Sequence, residues 1–267
     1  MTIYRQNFFL NKNKNQMAKQ IGIIKTRGTI DDLTFAKTKD GYIVKKRTSL
    51  DGSRINSDSN FQRTRENNSE FGKAAKAGKL LRNAIRTQLQ NAKDFRVVSR
   101  LTKEMMKVIK ADTTSTRGQR NVIDGETEIL QGFDFNINAK LSTALYAPYT
   151  SAIDRVTGAL TVDIPSFIPA DSVAAPTGTT HFKIVSAAAE LDFENESFVT
   201  DNKSTAILPW NSIAMAVINL ANAVTPNSTH PLFLLLGIQF FQEVNTVFYP
   251  LKSGVFNSLN LVKVNGV

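Results

Sequence analysis

The chain of 267 residues reads as an α+β N-terminal module, built from a β-ribbon and a helical hairpin, followed by an all-β antiparallel sandwich. Three observations lead there. Residues 21–48 hold short apolar runs around Asp40-Gly41, a dipeptide that suits a tight hairpin turn. Residues 60–110 carry apolar side chains at helical spacing. Beyond about residue 130 come roughly seven short apolar runs punctuated by Pro, Gly, Asn and Ser, the pattern of a sandwich.

The elements follow in order. Residues 1–16 read as a flexible leader, and Met17, opening MAKQIGIIK, offers a second start beside Met1. The ribbon takes in Ile21, Ile23 and Ile24, then residues 31–38, then Tyr42 to Arg47. It is too small to bury a core of its own, so it needs something to pack against. Ser59 is the expected N-cap of a long helix over about 60–91, with Phe71, Ala74, Ala75, Gly78, Leu81, Ile85 and Leu89 on one face. Asp94 is expected to cap a second helix to about Lys110, with Val98, Leu101, Met105, Val108 and Ile109 as its stripe. The later runs are 152–165, 181–193, 198–210, 231–243, 247–251 and 255–264. The alanine-rich run 213–224 fits either a strand or a helix.

Charge divides the chain. Residues 1–120 hold 27 Lys+Arg against 10 Asp+Glu, a net +17, and residues 121–267 hold 6 against 13, a net −7. The expected organisation is therefore a leader at 1–16, a basic module at 17–116, a polar linker at 117–130 and an acidic sandwich at 131–267.

Much chemistry is excluded. With no cysteine there are no disulfides, thiolate nucleophiles or cysteine-held metals. His181 and His230 have no metal-ligand spacing, and no nucleophile elbow or dinucleotide fingerprint is present. Gly72 to Lys79 has the glycine separation of a phosphate loop, but Leu80 stands where Ser or Thr is needed and no strand precedes it. Glu190, Asp192, Glu194 and Glu196 alternate, and are read as a solvated acidic strand edge rather than a calcium site. The chain is thus expected to be non-enzymatic, with no catalytic residue, cofactor or metal. No signal peptide pattern is apparent and no run reaches the roughly 18 apolar residues of a membrane span, so a cytoplasmic protein is expected.

The cations remain. Lys25, Arg27, Lys45, Lys46 and Arg47 cluster on the ribbon, and Arg63, Arg65, Lys76, Lys79, Arg82 and Arg86 line the long helix. Arg96, Arg100, Lys103, Lys107 and Lys110 recur on the next. Such density suits an acidic partner or a polyanion. Phe35 and Tyr42 are read as the core of the ribbon rather than as base-stacking platforms.

The phrases GTIDDLTF, DGY and FQRTRENNSEF, with the closing FFQEVNTVFYPLKSGVFNSLNLVKV, resemble a family of bacterial hypothetical proteins over about half the chain. The family has no established activity, so the resemblance brings no catalytic residue. It implies a bacterial structural protein related to phages or mobile elements. The reading is then a structural or assembly protein whose basic module docks acidic surfaces and whose sandwich makes protein contacts, self-association included. The alternative is a nucleic-acid-binding protein using the same cations.

Overall fold

A computed structural model describes residues 18–46, 52–251 and 255–266. The leader, Met17 and Arg47 lie outside the described residues. Two units are separable, residues 1–61 and 62–267.

In the first unit, the ribbon is a four-stranded antiparallel sheet. Its strands are β1 (Ala18–Lys19), β2 (Gly28–Ile30), β3 (Leu33–Thr38) and β4 (Gly41–Lys46), ordered β1-β4-β3-β2. The β3–β4 turn falls one residue earlier than expected. Thr38 pairs with Gly41 and its hydroxyl donates to Gly41 O at 2.9 Å, leaving Lys39 and Asp40 as the turn. Ile21, Ile23 and Ile24 form no strand; they lie fully exposed in the crossover from β1 to β2. Strand alternation puts Leu33, Phe35, Lys37, Tyr42, Val44 and Lys46 on one face. No described residue of this unit is buried. A short helix α1 (Gly52–Ser57) and a 3-10 turn (Ser59–Phe61) complete it.

The second unit begins with the helices. The expected single long helix is divided into α2 (Gln62–Ala84) and α3 (Arg86–Leu89), because the backbone at Ile85 (φ −97°, ψ 19°) leaves the helical region. Helix α4 (Val97–Ala111) follows. Its N-cap is Arg96, not the expected Asp94; Asp94 lies two residues earlier and accepts from the Arg96 amide at 2.6 Å. Both stripes are rotated from the expected ones. Phe71 and Val98 are exposed, while Ala77, Leu80 and Val97 are buried in their place. Helix α4 runs back along α2. A methyl group added at Gly78 would touch Leu101 at 3.6 Å, and Gly118, just past α4, lies against Glu66 near the start of α2. Gly78 is therefore the point of close approach that its place inside a helix implied.

The sandwich consists of two antiparallel sheets. Its strands are β5 (Thr150–Asp154), β6 (Ala159–Ile164), β7 (His181–Asp192), β8 (Ser197–Ser204), β9 (Leu208–Pro209), β10 (Ile218–Ala223), β11 (Leu232–Val244), β12 (Val247–Pro250) and β13 (Ser258–Asn265). The small sheet is ordered β10-β6-β5. The large one is ordered β12-β11-β7-β8, with β13 on β11 and β9 on β7. The ambiguous run at 213–224 becomes strand β10, alternately buried at Ile218 and Leu220 where it pairs with β6.

The central strands have both faces covered. Ala187, Ala189, Leu191, Phe233 and Leu235 pack with Leu81, Leu101, Met105 and Ile109 of the helices. Phe182, Ile184, Leu234, Leu236 and Ile238 pack with Leu160, Val162 and Leu220 of the small sheet. The unit is therefore three layers, helices on sheet on sheet. Burial on both sides is why β11 reads as an unbroken apolar run rather than an alternating one. Gly237 lies where two strands close in; an added methyl there would meet Ser258 O at 2.5 Å.

The expected linker at 117–130 does not separate the helices from the sandwich. Helices and large sheet share one core, and the division of the chain falls at Phe61/Gln62. The segment is itself held tightly. Asp112 accepts from the amides of Thr114, Ser115 and Asn121 at 2.8, 2.9 and 3.1 Å. The Gly118 amide donates to the buried Glu70 carboxylate at 2.8 Å, and the Ser69 hydroxyl to Gly118 O at 2.8 Å. Gly118 takes φ +88° with Glu66 Cγ only 2.9 Å from where a Cβ would sit, a place for glycine alone. Among the described residues no helix is long and apolar enough to cross a membrane.

Candidate anion-binding surface

In the first unit the cations converge at one place. Residues 20–27 cross from β1 to β2 and are fastened by Gln20. Its amide nitrogen donates to Ile43 O at 3.1 Å and Thr26 O at 3.3 Å, and its oxygen accepts from the Thr26 amide at 3.0 Å. This carries Lys25 and Arg27 to the ring of Tyr42, 5.9 and 5.8 Å from its centroid. Lys37, directly across the ladder from Tyr42, brings a third cation to 5.7 Å. Lys25 Nζ also donates to Gln20 O. Lys45 and Lys46 are exposed further along β4 and, by alternation, point to opposite faces.

In the second unit the helix cations differ in exposure and in partners. Arg63 is spent on Glu66 at 2.9 Å, and this hydrogen bond holds the Glu66 carboxyl below its usual range. Arg65 is half-buried. Lys76 faces Glu196, from the β7–β8 turn, at 3.8 Å. Arg82 is half-buried over Gly78 with Nη1 unpartnered, and burial pulls its pKa down. Lys79 and Arg86 alone of this set are fully exposed with no ion-pair partner among the described residues. On α4, Arg100 is drawn to Asp94 and stacks 4.9 Å from the Phe133 centroid, and Lys107 pairs with Glu104 at 2.6 Å.

The acidic run is not a uniform solvated edge. Glu190 is buried and accepts from the Ser228 hydroxyl at 2.6 Å and the Thr225 amide at 3.1 Å. Burial opposes its ionisation, but these bonds win and its pKa is lowered. Asp192 caps the β7–β8 turn by accepting from the Glu194 and Asn195 amides. Asp192 and Glu194 join Asp124, Glu126 and Glu128 around a cleft of about 390 Å³ that also holds His230. Sequence spacing had no means of joining two segments so far apart in the chain. His181 lies 3.7 Å from Glu243 and His230 3.9 Å from Asp192. Among the described residues no cluster of three or more His, Asp or Glu is arranged to hold a metal.

The charge split between halves thus becomes a different split between units. Residues 62–267 carry 21 Lys+Arg and 18 Asp+Glu, because basic helices and acidic turns share one body. Residues 1–61 carry 12 against 5 in less than a quarter of the chain. Most of the unbalanced positive charge therefore belongs to the first 61 residues. No protein-family model, curated protein or solved structure matches the chain.

Proposed function

We propose that the protein is a non-enzymatic structural or assembly protein whose basic N-terminal unit docks an acidic surface while its sandwich makes protein contacts. The observation that carries this reading is the first unit itself. Its four-stranded sheet has no buried side chain among the described residues and one face bearing Leu33, Phe35 and Val44 beside Lys37 and Lys46, and over residues 1–61 cations outnumber acids by 12 to 5. A sheet so thin gains stability by packing on something else, and its charge selects an acidic counterpart. A second copy of the chain is one such counterpart, since the acidic cleft at Asp124, Glu128 and Asp192 is present in every molecule. The absence of cysteine is in keeping with a reducing compartment such as the cytoplasm.

Light scattering on the full chain tests this. The expected result is a nuclease-resistant species heavier than the 29.5 kDa monomer, shrinking toward it as salt rises and screens exposed charges. A monomer at every salt concentration would rule out self-association. A large species that collapses on nuclease treatment would favour a second reading, nucleic-acid binding by the same unit. That reading draws on the three cations gathered at Tyr42.

A further inference from the structure

We propose that Lys25, Arg27 and Lys37, gathered around Tyr42, form a site for the phosphate groups of a nucleic-acid backbone. The inference rests on the second reading above, that the N-terminal unit meets nucleic acid, and gives it a location.

Three features carry it. First, the cluster is built rather than incidental. Gln20 fastens both the start and the end of the crossover, through Ile43 O and through Thr26, and its own amide donates to Tyr42 O at 2.9 Å. Lys37 is placed independently, by the β3–β4 register. Second, the cluster is unneutralised. All three side chains are exposed, and no carboxylate among the described residues lies within ion-pair distance of any of them. The ring attracts each cation, and an anion would relieve the repulsion among the three. Third, Tyr42 is only partly exposed and all three cations lie within 6 Å of its ring centroid, so an incoming strand meets the cations as well as the ring.

That combination fits contact with phosphates, which is indifferent to sequence, rather than readout of bases. A phosphodiester strand supplies regularly spaced charges that meet several cations at once, and counterion release rewards each contact. An acidic protein surface would match it only by holding several carboxylates at the spacing of these three cations.

The test is fluorescence anisotropy of a labelled single-stranded oligonucleotide with the full chain, from about 50 to 200 mM salt. Replacing Lys25, Arg27 and Lys37 together by Gln is expected to weaken binding at least about tenfold at the lowest salt. It should also make the slope of log affinity against log salt shallower by about two, at roughly 0.7 per lost phosphate contact on a single strand. Lys37→Gln alone, which leaves the Gln20 crossover intact, should remove about 0.7 of that slope.

Unchanged affinity and slope in both variants, with loss of binding in Lys45→Gln/Lys46→Gln, would sink the Tyr42 site and leave the nucleic-acid reading standing. No binding of oligonucleotide by the unaltered chain would sink both. Displacement of the oligonucleotide by poly-glutamate at equal charge concentration would assign the site to an acidic protein surface and overturn the phosphate assignment.

Discussion

Asp112 shows how much a single residue settles. It sits at the C-terminal end of α4, where the helix dipole disfavours an anion. Burial disfavours its ionisation as well, yet the amides of Ser115, Asn121 and Thr114 hold its carboxyl well below the usual carboxylate range. The bonds turn the chain after α4 and aim residues 117–118 at α2. Asp112→Asn is expected to cost about 1.5–3 kcal/mol in urea unfolding at pH 7, the worth of hydrogen bonds to a charged group. Because the folded-state pKa is depressed, that stabilisation is complete above the unfolded value of about 3.9 and fades as pH falls toward the folded one. The gap between the two proteins should therefore narrow progressively below about pH 4. A gap that stays constant down to about pH 2.5 would show that geometry rather than charge is at work. Of the N-terminal site, Lys25 and Arg27 were legible from composition. Lys37 was not, since only the strand register puts it beside Tyr42. Gln20 was not either, as a glutamine in a polar stretch gives no local signal.

The helices and the sandwich strands were legible as elements because their periodicities differ, and their faces were legible only in part. The expected α4 stripe contained both Val98 and Leu101, but Leu101 is wholly buried and Val98 is 46% exposed. Leu101→Ala is expected to destabilise by about 2–5 kcal/mol, whereas Val98→Ala should stay within about 0.5 kcal/mol. Equal effects in chemical denaturation would mean that the helix is rotated from the position described. The tie between the β5–β6 turn and the end of β13 was invisible beforehand. Arg155 donates to Ser228 O, His230 O, Asn265 O and Gly266 O at 2.6, 2.8, 3.0 and 2.6 Å. A lone arginine in an acidic segment looks like an ordinary surface charge, and only the fold surrounds it with carbonyls.

Across the whole molecule, every buried residue among those described lies between Glu70 and the end of the chain. Residues 62–267 expressed alone are therefore expected to unfold cooperatively with a midpoint within about 3 °C of the full chain, a shift worth no more than about 1 kcal/mol at this size. A drop of ten degrees or loss of cooperativity would show that the first 61 residues support the core. The same partition explains the error about the linker. A sign change in net charge marks where basic helices give way to acidic strands. It does not mark a domain boundary, because the two pack face to face in one core.

The sequence by itself determined the class of each segment: a basic ribbon, two apolar-striped helices and an antiparallel sandwich. It did so because hydrophobic period and turn residues are local properties. It also determined that thiolate chemistry is absent, since a missing residue type needs no fold to be read. Only the tertiary structure decided that the helices belong with the sandwich, that strand β10 is a strand, and that Lys37 completes a cluster with Lys25 and Arg27. Each of those depends on which distant segment lies opposite, through pairing register and shared burial, and that is a property of the folded chain rather than of any window along it.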